Sequence, residues 1–250
     1  MEKVKEEWSN IYNQSQKLKS QELNYSFPHI SNALRAIAKH HDGLFLEAGC
    51  GKGDICFMLE QQGVKVIGVD IVRNAVKQAK QRKKSLGSKA EFLIADVTHL
   101  PFQDSCFDGL TSLGVIEHFR ETFEVAMAFK EARRVLKANG IFLCTIPNIF
   151  VPVKTALTLF LSKGKTGLYH KMYTASYLKK LAQYTGLSLN AEVIDAWLPF
   201  FFFFDGILKR LKVNPKRRLR LYQLATQLPE PFILKTIGGH ICLSSLGQKP

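Results

Sequence analysis

The residues from Leu46 to Asp54 read Leu-Glu-Ala-Gly-Cys-Gly-Lys-Gly-Asp, a glycine loop flanked by two carboxylates. Glycines at 49, 51 and 53 permit positive φ and let a ligand come close to the backbone. Glu47 and Asp54 set negative charge on either side of the loop, which repels a pyrophosphate and suits a cationic ligand. The dinucleotide-binding pattern would need a glycine where Asp54 stands. Asp70 closes the run Gly-Val-Asp, 21 residues beyond Gly49. A carboxylate there can accept hydrogen bonds from both hydroxyls of a ribose, each worth roughly 1.5–3 kcal/mol. Asp96, in Ala-Asp-Val, can accept from the amino group of an adenine. His118 follows Ser-Leu-Gly-Val-Ile-Glu and is the first candidate for a general base, ahead of His170 and Tyr173.

These residues need elements to hold them, and the sequence supplies an alternation. Leu44–Leu46, Lys65–Val69, Glu91–Ala95, Asp108–Leu113 and Ile141–Ile146 read as short buried strands. Helices are expected over Pro28–His40, Asp54–Gln62, Ala75–Ser85 and Phe123–Lys137, the last closed by Asn139-Gly140. Strands separated by such helices form right-handed βαβ units and a parallel sheet with helices on both faces. Ligands of such sheets bind beyond the carboxyl ends of the strands. Glu47, Asp70, Asp96 and Leu113 all fall at those ends. After Pro147 the rhythm breaks. Residues 148–172 and 197–237 read as two inserted lid elements, separated by a helix over Ser176–Tyr184 and a strand over Leu187–Ile194. His240–Ser244 reads as a closing strand, and the whole chain, 1–250, as a single domain.

A cationic ligand with a ribose and an adenine but no phosphate describes S-adenosylmethionine, which carries a sulfonium and an ammonium. The order Glu-Ala-Gly-Cys-Gly-x-Gly, Val-Asp, Ala-Asp-Val, Leu-Pro-Phe, Phe-Asp, Ile-Glu-His and Arg-Val-Leu-Lys resembles the class I S-adenosylmethionine-dependent methyltransferases. Within them it is most similar to the group that includes ubiquinone-biosynthesis and small-molecule O-methyltransferases. The resemblance covers Leu44 to about Pro147 and leaves out both insertions. It implies a Rossmann-like, mostly parallel α/β sheet of seven strands with the last antiparallel, Ile241–Ser244 being that strand. It also implies that Glu47, Gly49, Cys50 and Gly51 line the methionine end of the cofactor, Asp70 binds the ribose and Ile71 packs on the adenine. Asp96 and Val97 would meet the adenine edge, and Leu113 would offer its backbone near the methionine amine. S-adenosylhomocysteine would be the product.

Composition sets the outer limits. Of 250 residues, 46% are hydrophobic and 22% charged, which is globular composition. No apolar run approaches the length of a membrane span, the start of the chain has no signal-peptide core, and five cysteines include no Cys-x-x-Cys pair. The expectation is a cytoplasmic protein without a disulfide framework or a metal site. Net charge is +14, and residues 206–250 hold nine Lys and Arg against one acid. That field favours an anionic partner. Residues 200–222 mix phenylalanines with cations, and peripheral contact with an anionic membrane is expected there ahead of nucleic acid. The leading reading is methyl transfer to a small, apolar or lipid-like acceptor, the aromatic insertion being the reason for an apolar one. An RNA or protein methyltransferase steered by the basic patch, and a non-catalytic cofactor-binding protein, are the alternatives.

Overall fold

Phe45 and Leu46 are wholly buried because their strand lies at the centre of a sheet covered on both faces. The structure is a computed structural model that describes residues 2–14, 43–147, 171, 173–187, 190–194, 210–214, 217 and 240–245. Helix α1 (Glu2–Gln14) comes first. Then follow β1 (Leu44–Ala48), α2 (Asp54–Glu60), β2 (Lys65–Asp70), α3 (Arg73–Leu86), β3 (Glu91–Ile94) and β4 (Phe107–Leu113). A short 3₁₀ turn (Ile116–His118) leads to α4 (Thr122–Val135), β5 (Leu136–Pro147), α5 (Ala175–Tyr184), β6 (Asn190–Ile194) and β7 (His240–Ser245).

The sheet runs β3-β2-β1-β4-β5-β7-β6. The five strands from β3 to β5 are parallel, as the alternation predicts, with Leu46 level with Ile67 on one side and Leu110 on the other. Strand β7 lies antiparallel between β5 and β6. One core packs Phe107, Phe129, Phe142 and Leu178 against one face of the sheet. The other packs Phe45, Phe57, Phe92 and Val76 beneath α2 and α3. Gly109 makes room for the Phe45 ring, which would lie 2.2 Å from any Cβ there.

Two sequence motifs 32 residues apart turn out to be one structural unit. Arg134 donates to the carbonyls of Leu100 and Phe102 at 2.9 and 2.7 Å, and pairs with Glu131 and Asp104. The Arg-Val-Leu stretch thus pins the Leu-Pro-Phe loop that enters β4.

Some expectations are not tested by the described residues, one needs amending, and one helix was not expected. Helix Pro28–His40 lies outside the described residues, as do nearly all of the two insertions. The helix expected to end at Asn139-Gly140 ends at Val135, and β5 begins at Leu136. Leu136 already has extended backbone, φ −76° and ψ 136°, and pairs with Phe107. Sheet pairing there overrides the local stop signal. Helix α1 was not foreseen, although Val4, Trp8, Ile11 and Tyr12 mark an apolar stripe at helical spacing. Val4 is buried.

Candidate functional site

The loop after β1 turns on backbone that only glycine adopts without strain. Gly49 has φ +86° and Gly51 φ +54°. The N–H groups of Gly49 and Cys50 both donate to the Val69 carbonyl at 2.8 Å, which ties the loop to the end of β2. A Cβ on Gly49 would meet Val115, and one on Gly51 would meet the Tyr12 hydroxyl. The bare side of the loop therefore faces two other elements, the turn after β4 and helix α1. Both elements meet the loop near the carboxyl ends of β1, β2 and β4.

Helix α1 contacts this region at several points. Its Trp8 packs edge-on against His118 at 4.9 Å between ring centroids. Its Glu7 pairs with Arg120 at 2.5 Å. Asn13 and the Tyr12 carbonyl accept from Asn74 and Gln78 on α3. One helix thus spans the acceptor-side turn, the glycine loop and α3.

Asp70 is buried at the end of β2. Its two oxygens each accept one backbone N–H at 2.8 Å, from Gly51 and from Val72. Each keeps a lone pair for a further donor. Burial raises its pKa, opposed by those two hydrogen bonds. The same carboxylate faces Tyr12, whose phenol is pushed up by burial first and by Asp70 second. Asp96, partly exposed after β3, receives both the N–H and the hydroxyl of Thr98 on a single oxygen. Its other oxygen is left for a ligand. Ile71 is partly exposed beside it, and Val97 is buried at the edge of the core.

Glu47 departs from the electrostatics expected of the loop. It is 1% exposed in the middle of the sheet, where it accepts from the Thr111 hydroxyl and the Leu113 N–H. Burial outweighs those donors and pushes its pKa up to about 8. Burial therefore favours the protonated carboxyl at neutral pH. Asp54 is not a free charge either, because Arg82 pairs with it at 2.7 Å while donating to the Lys52 carbonyl. Cys50 and Cys56 share the space above Gly68, and burial raises the Cys56 thiol well above its ordinary value.

On the turn after β4, His118 is 6% exposed. The residue beside it, Glu117, was passed over as a site residue in the sequence. It is equally buried, and its Oε2 has no hydrogen-bond partner among the described residues. Its Oε1 lies near Gly114, and desolvation lifts its pKa to about 8. The signal available was an acid directly following Val115-Ile116, too apolar a setting for a solvated carboxylate. Tyr173 packs into the core and stacks on Tyr177, and His170 lies outside the described residues. Among the described residues no group of His, Cys, Asp and Glu could hold a metal ion.

Comparison with known proteins agrees with this geometry. A family model described as a methyltransferase domain matches residues 46–144. The Ubiquinone/menaquinone biosynthesis C-methyltransferase UbiE of Bartonella tribocorum is 35% identical over 105 residues, covering 40% of this chain and 39% of that protein. The chain thus matches less than half the length of this curated relative. The crystal structure of the PH0226 protein from Pyrococcus horikoshii superposes with a TM-score of 0.59 at 26% identity, covering 71% of this chain and 88% of the other. The phosphoethanolamine N-methyltransferase 2 of Haemonchus contortus, in complex with S-adenosyl-L-methionine, shares the fold at 17% identity. Its TM-score is 0.62 over 88% of this chain and 52% of that one.

Tested on the molecule itself, the cofactor of that family fits. The loop turns at Gly49 and Gly51 with Val115 and the Tyr12 hydroxyl against it, Asp70 and Asp96 keep acceptor positions that no described residue fills, and the buried carboxyl of Glu47 pairs with no cation among the described residues. Residues 46–144 match a methyltransferase domain, and this stretch is similar to S-adenosylmethionine-dependent methyltransferases.

Proposed function

We propose that the protein transfers a methyl group from S-adenosylmethionine to a small, apolar or lipid-like acceptor. The observation that carries the transferase reading is the convergence of Glu47, the Gly49–Gly51 backbone, Asp70 and Asp96 at adjoining strand ends. When bound, S-adenosylmethionine supplies an electrophilic methyl group, so the protein needs no covalent chemistry of its own. Its work is positioning and exclusion of water, which can be worth roughly 7–11 kcal/mol.

In this reading Asp70 takes the ribose hydroxyls and stays oriented through the Gly51 and Val72 N–H groups. Asp96 and Val97 meet the adenine edge, and Ile71 packs on its face. Glu47 gives up its proton to hold positive charge at the methionine end, beside the Leu113 backbone, Gly49 and Cys50. Helix α1 brings Trp8 to His118 and Tyr12 to the glycine loop. For an acceptor that carries a proton, His118 and Glu117 are the two groups on the turn able to take it.

The apolar character of the acceptor is supported by the aromatic cover from α1 and by the name of the UbiE relative. Peripheral membrane contact through residues 200–222 remains part of the proposal and lies almost wholly outside the described residues. No helix among the described residues is long and apolar enough to cross a membrane.

The test uses S-adenosylmethionine labelled on its methyl group. The purified chain is offered a lipid extract, a panel of polar small molecules and RNA. Label in the lipid fraction, lost in Asp70→Ala, supports the proposal. Label only in RNA or polar nucleosides overturns the acceptor class. Tight cofactor binding with no labelled product from any pool overturns the transferase reading.

A further inference from the structure

Helix α3 sorts its cations by face. It contains no Asp or Glu, and two of its cations are neutralised, Arg82 by Asp54 and Lys83 by Glu91. The remaining four, Arg73, Lys77, Lys80 and Lys84, are exposed and make no ion pair with any described residue. Their spacing of four, three and four places them within an arc of about 60° at 100° per residue, along about 16 Å of helix. With Ala75, Val76 and Ala79 buried, the unpaired cations form a line on the solvent side of the helix.

The line borders a groove of about 410 Å³ whose apolar lining is Val76 and Ile94. Ile94 belongs to β3, the edge strand of the sheet. Leu86, Leu93 and Ile94 are 60%, 41% and 45% exposed at this edge. They are three of the seven large apolar side chains exposed among the described residues. An exposed edge strand with apolar side chains invites a partner. Cations in a row with apolar side chains at their margin match the chemistry of a lipid surface, charged headgroups above acyl chains. A single-stranded nucleic acid would want aromatic platforms for its bases, and none lines the groove. A second copy of this chain would bring a like charge.

We propose that the α3–β3 edge docks onto an anionic phospholipid bilayer. The stripe begins at Arg73, next to Val72, whose N–H holds Asp70. Docking there sets the Asp70 end of β2 near the bilayer, and α1 accepts hydrogen bonds from the same helix at Asn13 and the Tyr12 carbonyl. The residues of this surface are not among 200–222, and the proposal does not depend on the acceptor.

Sedimentation of the full chain with vesicles tests it, using phosphatidylcholine alone and an equimolar mixture with phosphatidylserine. Wild type is expected to bind the mixed vesicles, to ignore the neutral ones and to weaken as salt rises. Each cation near an anionic surface contributes about fivefold, so Lys77→Gln with Lys80→Gln should weaken partition about 25-fold. Lys179→Gln with Lys180→Gln removes the same charge from the exposed face of α5 and should change little. Ile94→Ser should weaken vesicle binding further and leave any RNA binding untouched. Equal binding to neutral vesicles, no vesicle binding, or an unchanged Lys77/Lys80 variant would each overturn the proposal. Loss of RNA binding by that variant with vesicle binding intact would reassign the surface to nucleic acid.

Discussion

The Tyr12 hydroxyl lies 2.5 Å from the position a Cβ on Gly51 would occupy, and the ring carbon that bears it lies 3.7 Å away. A helix near the start of the chain and the glycine loop after β1 are thus fitted to each other around one missing side chain.

Gly51→Ala should therefore cost stability twice, through the positive φ and through the hydroxyl, by about 1–3 kcal/mol together. Tyr12→Phe leaves a ring carbon at ordinary contact distance and should restore part of that loss. A double-mutant cycle by thermal unfolding reads the coupling. Independent, additive effects would show that α1 does not press on the loop in solution. Cofactor affinity should fall in Gly51→Ala whatever the partner residue.

Glu47 makes cofactor affinity depend on pH. In the empty site its pKa is pushed up to about 8 by burial, so it is protonated at pH 6. A cation beside it favours the carboxylate, and binding then releases a proton. Affinity for S-adenosylmethionine should rise by up to about tenfold per pH unit between pH 6 and 8, then level off. Calorimetry in buffers of different ionisation enthalpy should show the released proton, and Glu47→Gln should abolish both effects. A pH-independent affinity in wild type would remove Glu47 from the methionine end.

The same burial shapes stability. Glu47 and Glu117 bind protons more tightly in the folded chain, with pKa values of about 8, than in the unfolded one. Between about pH 4.5 and 8 the folded state carries the extra protons, so these residues make stability fall as pH rises through that window. Glu117→Gln should leave stability near wild type at pH 5 and raise it relative to wild type at pH 8. Urea unfolding at the two pH values measures this, and equal differences at both would place Glu117 in water.

Glu117 and His118 also divide the turnover profile. If Glu117 takes the acceptor proton, kcat rises through a pKa near 8 and Glu117→Gln loses about 10²-fold or more. If His118 does, the activity survives Glu117→Gln and is lost by a similar factor in His118→Gln. A rate that ignores both substitutions would indicate an acceptor needing no base.

Gly68 lies beneath the thiols of Cys50 in the loop and Cys56 on α2. A Cβ there would stand 2.8 Å from the Cys50 Cβ and the Cys56 Sγ, inside a packed core. Gly68→Ala should lower Tm at about 2–4 °C per kcal/mol, with a cost of about 1–3 kcal/mol. Cys56→Ala in the same chain should recover part of it.

Much of this molecule was legible before its structure. The five parallel strands, the helices after β1 and β2, and the acids at the strand ends follow from local patterns: apolar runs, glycines, and carboxylates where a strand stops. Such signals live within a dozen residues, and sheet topology follows from them through the handedness of βαβ connections. What tertiary structure alone decided is the state of those acids and the company they keep. Glu47 and Glu117 hold protons because packing from distant segments removes water from around them. Arg82 quenches Asp54, Arg134 joins two motifs, and α1 meets the turn and the glycine loop through Trp8 and Tyr12. These contacts join residues 28 to 110 positions apart. Desolvation and long-range pairing depend on which surfaces meet, and that is settled only when the chain folds.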